Sequence, residues 1–126
     1  MQDYEFETTD QVVSFCGTRI GFASSEAYIR SDPTRDKVRW HETHIYILDN
    51  GKYVVVKVGN SAEPDDEIYN TVHVADDPRG AAESLYTSDH LRSTFLTRTA
   101  KEAAAEASLA DPAFARAYKY RNLSAS

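Results

Sequence analysis

Three side chains in this sequence are suited to acid–base work: His44, His73 and Glu42. Two imidazoles beside a carboxylate could move a proton, with the acid orienting one ring. That requires strand 68–75 to neighbour the hairpin and to share the polar-aromatic face with His44. The competing reading is a solvated sheet face with two ordinary histidines. His41-Glu42-Thr43-His44 also offers two metal-ligand types, but zinc proteases space their histidines four apart on a helix. On a strand, residues 41 and 44 have opposite parity and face opposite sides. No metal and no cofactor is therefore expected. Ser88-Asp89-His90 contains three triad residue types, yet neighbours at a helix start do not point at one another. Helix capping by Ser88 and Asp89 explains them more simply. Cys16 alternates with Thr18, Ile20 and Phe22, which suits a buried small hydrophobe better than a nucleophile. The five glycines are scattered and build no phosphate-cradling loop.

A recognition surface fits the residue types better than a reaction does. Trp40, Tyr46, Tyr53 and Tyr69 are expected on one sheet face, with Glu42, His44, Lys57 and His73 among them. Large amphipathic rings beside a few polar groups make good contact surfaces. Such a face could take a peptide, a second copy of the chain or a small planar ligand. The alternative is that other elements cover it as a second core layer. An RNA-binding platform would need a basic rim and a glycine-aromatic motif, and neither is present.

The element that must position these side chains is a hairpin. Two β-rich runs, residues 38–48 and 52–60, flank Asn50-Gly51, a dipeptide suited to a two-residue type I′ turn. That turn would set Ile47 against Val54, Ile45 against Val56 and Thr43 against Val58, forming one apolar face. A slip of one residue would exchange the two faces.

The rest of the chain supplies flanking elements. Residues 1–9 read as a short edge strand, with Tyr4 and Phe6 on one side and Glu5 and Glu7 on the other. Residues 12–23 read as a strand in which Phe15, Gly17, Arg19, Gly21 and Ala23 share a face. Two glycines there mark a bulge or a close approach. Residues 31–37 are a polar loop, and Ile68 to Ala75 is another strand. Asp77-Pro78 and Asp111-Pro112 each combine an N-cap with proline at the first helical position. The first opens a short helix to about Tyr86, and the second a helix through Tyr120. Between them, Leu91 to Ala110 is helical by propensity, with Leu96, Ala100, Ala103 and Ala107 on one stripe. Strands first and helices last give an α+β fold: an antiparallel meander of four or five strands with two or three C-terminal helices on one face. Residues 1–120 form a single domain and 121–126 a frayed tail.

Composition narrows the partners. The chain has 126 residues and a net charge of −6. One length of this order makes one domain with a real core. No apolar run approaches membrane-spanning length, and the start is acidic, so neither a membrane span nor a secretory signal is expected. The lone Cys16 suits a reducing cytoplasm. Acids cluster at Asp3, Glu5, Glu7 and Asp10, and again at Glu63, Asp65, Asp66 and Glu67. The one basic patch, Arg30, Arg35, Lys37 and Arg39, is diluted by Asp32 and Asp36, so a nucleic-acid backbone is not the expected partner. The leading expectation is a small non-enzymatic protein-interaction module that self-associates as a homodimer. An acidic phage or mobile-element inhibitor of a nucleic-acid-binding protein is the alternative. A small-ligand-binding or hydrolytic enzyme using His44 and His73 comes third.

Overall fold

Gly51 decides the register of the sheet. It has φ +84°, in the left-handed region that glycine enters freely. Its N–H donates to Leu48 O at 3.1 Å, and Leu48 N–H donates to Lys52 O at 2.8 Å. The loop is therefore Asp49-Asn50-Gly51, three residues ending in a left-handed one, rather than the expected two-residue turn. The Asn50 side chain closes it by accepting from Lys52 N–H at 3.0 Å. Ile47 consequently lies opposite Tyr53, Ile45 opposite Val55 and Thr43 opposite Lys57. This is the one-residue slip, and it moves Val54, Val56 and Val58 onto the face of His44 and Tyr46.

The computed structural model describes residues 1–8, 11–35, 38–63, 69–88 and 94–125, with 69, 88 and 122–125 described by backbone alone. Five antiparallel strands lie in chain order: β1 (Gln2–Glu7), β2 (Val12–Ser24), β3 (Arg39–Leu48), β4 (Tyr53–Ser61) and β5 (Tyr69–Ala75). A five-residue helix, α1 (Glu26–Arg30), which the sequence reading did not anticipate, links β2 to β3. After the sheet come α2 (Pro78–Ser84), a two-stranded pair of β6 (Thr87–Ser88) and β7 (Thr94–Phe95), then α3 (Arg98–Ala110) and α4 (Pro112–Ala125). The expected α+β meander with helices on one face is the architecture observed.

The three C-terminal helices start as their sequences dictate. Asp77 Oδ1 accepts from Gly80 N–H at 2.8 Å and Asp111 Oδ1 from Ala113 N–H at 3.1 Å, each ahead of a proline. The cap of α3 is Thr97, whose Oγ1 accepts from Ala100 N–H at 3.2 Å, and not Ser88. Thr94 and Phe95, a β-branched and an aromatic residue, pair with Ser88 and Thr87 as strand, so the helix begins later than its alanine content implied. Leu91 lies outside the described residues.

Both faces of the sheet are buried, by different means. On the helix face, α3 lays Ala100, Ala103, Ala104 and Ala107 against β2 and β3, all fully buried. Close approach needs a bare strand beneath: a Cβ on Gly21 would collide with the Ala103 carbonyl oxygen. Helix α2 covers β4 and β5 with Ala81, Ala82 and Leu85, and α4 packs over α2 and α3. Phe114 reaches the sheet at Tyr53, and Tyr53 O–H donates to Asp111.

Among the described residues no helix of the C-terminal layer covers the opposite face, which curls on itself. Tyr46, Val54, Val56 and Val58 are buried there against Tyr4, Phe6, Phe15, Leu48 and Val72. A bulge between Arg19 and Gly21 flips the parity of β2, so Phe22 points to this face with Phe15 while Gly21 and Ala23 turn to the helices. The expected single set from Phe15 to Ala23 is split at that bulge. At one corner the two edge strands touch, where Asn70 Nδ2–H donates to Glu7 O at 2.8 Å.

Candidate functional site

Glu42, His44 and Tyr46 alternate along β3, so they stand in a row on the curled face. Tyr46 O–H donates to His44 Nδ1 at 3.3 Å, and His44 Nε2–H donates to Glu42 Oε1 at 3.1 Å. Burial favours the neutral ring, and with Glu42 as acceptor its proton is assigned to Nε2. Trp40 Nε1–H and Asn60 Nδ2–H reach Glu42 Oε2 at 3.4 and 3.5 Å. Burial holds His44 below its ordinary value despite the opposing pull of Glu42, and it pushes the Tyr46 hydroxyl up to about 12.

The row has the composition of a proton relay, but among the described residues aromatic rings close over two of its members, His44 and Tyr46. Tyr46 is 1% exposed and His44 8%. The Tyr4 and Phe15 rings stand 4.5 and 4.9 Å from Tyr46, and Phe22 and Phe6 stand 4.8 and 5.7 Å from His44. At the row's outer end, the Arg30 guanidinium covers the Trp40 ring at 4.8 Å. These polar groups satisfy one another inside a ring-filled core.

The other half of the expected surface faces the helices. His73 lies opposite Val55, whereas His44 lies opposite Val56, so the two histidines occupy opposite faces. Acid–base cooperation between them has no geometry to use. Tyr53 is buried and engaged by Asp111. Tyr69 lies opposite Gly59, and its side chain lies outside the described residues. The register therefore splits the candidates: Trp40, Glu42, His44 and Tyr46 fall on the curled face, and Tyr53, Lys57 and His73 on the helix face.

Lys57 is the unusual member of the second group. It is half-buried, and its Nζ donates to Tyr86 O at 3.2 Å and to Thr87 Oγ1 at 3.3 Å, both neutral acceptors. Burial pulls its pKa down, and its charge together with burial holds the exposed His73 below the usual imidazole value. Above Lys57 opens a cavity of about 320 Å³ walled by Thr43, Thr71, Thr97, Thr99 and Val58. Thr43 and Thr99 share a hydrogen bond at 3.1 Å, and Thr97 meets Thr99 at 3.4 Å. Sequence reasoning missed these threonines. The available signal was a lysine on the Ile45–Ile47 face, visible only in the correct register.

Other candidates separate plainly. Cys16 is half-buried opposite Asp3, and burial followed by the Asp3 and Asp49 charges pushes its thiol up, away from the nucleophilic form. Asp89 and His90 of the triad-like run lie outside the described residues, as do Asp10, Asp36, Lys37, Asp65, Asp66, Glu67 and Ile68. Among the described residues no group of three or more His, Cys, Asp or Glu could hold a metal, and no helix is long and apolar enough to cross a membrane.

Beyond the Asn70 corner, no described residue pairs with the outer edge of β5. Thr71, His73 and Val74 are exposed, Val74 at 59%, and no residue of Tyr69–Ala75 is an acid, a lysine or an arginine. No family model matches the chain, and no curated protein or solved structure matches it.

Proposed function

We propose that this chain is a small non-enzymatic protein-interaction module that pairs with a second copy of itself along the outer edge of β5. One observation carries the reading: β5 is an edge strand of seven residues without a carboxylate, lysine or arginine, with Val74 standing in solvent. An unguarded edge offers its free backbone row to another strand. Like-with-like pairing sets no formal charge against its twin, because His73 is held toward its neutral form. The same pairing at β1 would bring Asp3, Glu5 and Glu7 against their own copies. Against catalysis stand the burial of His44 and Tyr46 and the separation of His44 from His73.

Sedimentation velocity over a concentration series tests it. The weight-average coefficient is expected to rise with concentration for the native chain and to stay at the monomer value for Val74→Lys. A native chain that sediments as a monomer throughout, or a Val74→Lys variant that associates equally well, overturns the reading.

A further inference from the structure

The Lys57 cavity supports an inference of a different kind. A half-buried ammonium loses hydration and normally recovers it from a carboxylate. Among the described residues Lys57 has none: its acceptors there are the Tyr86 carbonyl and the Thr87 hydroxyl. Glu42 also borders the cavity, but its carboxylate is held on the other face by His44 and Trp40. Threonines from three separate segments line the cavity, Thr43 on β3, Thr71 on β5, and Thr97 with Thr99 at the start of α3. Hydroxyls rotate to donate toward an anion, whereas a cation would meet the lysine charge. The volume, about 320 Å³, falls at the small end of metabolite sites.

We propose that this cavity binds a small ligand through one anionic group, a phosphate or a carboxylate, with Lys57 as its counter-charge and the Thr43, Thr71 and Thr99 hydroxyls around it. The anion completes an ion pair for which the described residues supply no carboxylate. Burial, which pulls the Lys57 pKa down, is offset once an anion sits beside it. The lining of the cavity is mostly apolar, which suits the ligand's uncharged part.

The test is an NMR titration of amide shifts at constant ionic strength, with inorganic phosphate in one arm, acetate in a second and chloride as the control. Using the Val74→Lys background keeps the result independent of edge pairing. Saturable shifts at Thr43, Lys57, Thr71 and Thr99 with phosphate or acetate, but not chloride, are expected, and the stronger arm identifies the anionic group. Lys57→Gln is expected to weaken that binding by about tenfold or more, and Lys57→Arg to retain most of it. Should Lys57→Gln fail to fold, Thr71→Val at the rim provides the second variant, with weaker binding expected. Absence of saturable shifts in both arms, or binding unchanged in Lys57→Gln or in a folded Thr71→Val variant, overturns the proposal.

Discussion

β1 and β5 both end the sheet, so each leaves one side of its backbone outside the ladder. β1 lines its outward side chains with Asp3, Glu5 and Glu7 and turns Tyr4 and Phe6 into the curled core. β5 has no such guard: Val72 turns inward, and Thr71, His73 and Val74 are left in solvent. The difference separates two solutions to one liability. β1 is anchored by rings and carries a row of carboxylates, while β5, among the described residues, is met on its outer side at the corner where Asn70 bonds Glu7. Selection against edge pairing would be expected to guard both.

The largest test of this contrast removes the ring on which β1 rests. Tyr46 is fully enclosed by Tyr4, Phe6 and Phe15, so Tyr46→Ala is expected to cost about 3–5 kcal/mol in urea denaturation. A loss below about 1 kcal/mol would mean that β1 is held by its hydrogen bonds alone.

A smaller effect sharpens the other edge. Asn70 donates to Glu7 O, but its own Oδ1 is buried with no hydrogen-bond partner among the described residues. Asn70→Ala loses the bond and relieves that orphan, so stability should change by no more than about 1 kcal/mol. It also frees the corner of β5, so association measured by sedimentation should tighten; weaker association would show that the corner supports pairing rather than limiting it.

The smallest effect concerns pH. Burial sets His44 in the fold below its ordinary value of 6.5, so the unfolded chain binds the proton more readily. The stability tied to neutral His44 is then fully present above about 6.5 and declines as pH falls through the folded-state pKa. His44→Gln should flatten that part of the denaturation-versus-pH curve. An unchanged slope would locate the titration elsewhere, with His73 shifted in the same direction as the first place to look.

Much of this architecture is legible in the residues themselves. The Asp-Pro pairs at 77–78 and 111–112 cap helices because a carboxylate and a fixed φ act locally. The alanine stripe of α3 and the alternation of β1 are equally local. Register is different. Asn50-Gly51 suits a two-residue turn and a three-residue loop alike, and one residue of difference moves Val54, Val56 and Val58 to the other face. The bulge at Ile20 reverses β2 for the same reason, since one extra residue inverts parity. The Lys57 cavity was not legible at all, because it joins β3, β4 and β5 to residues about thirty positions further along, through contacts that leave no periodicity.

Amide hydrogen exchange measured on dilute and concentrated samples of the native chain tests the contrast between the edges most directly. Slower exchange at high concentration is expected for amides within Thr71–Ala75, with β1 amides from Gln2 to Glu7 unchanged. Protection that grows on β1, or that stays independent of concentration along both strands, would contradict pairing through β5.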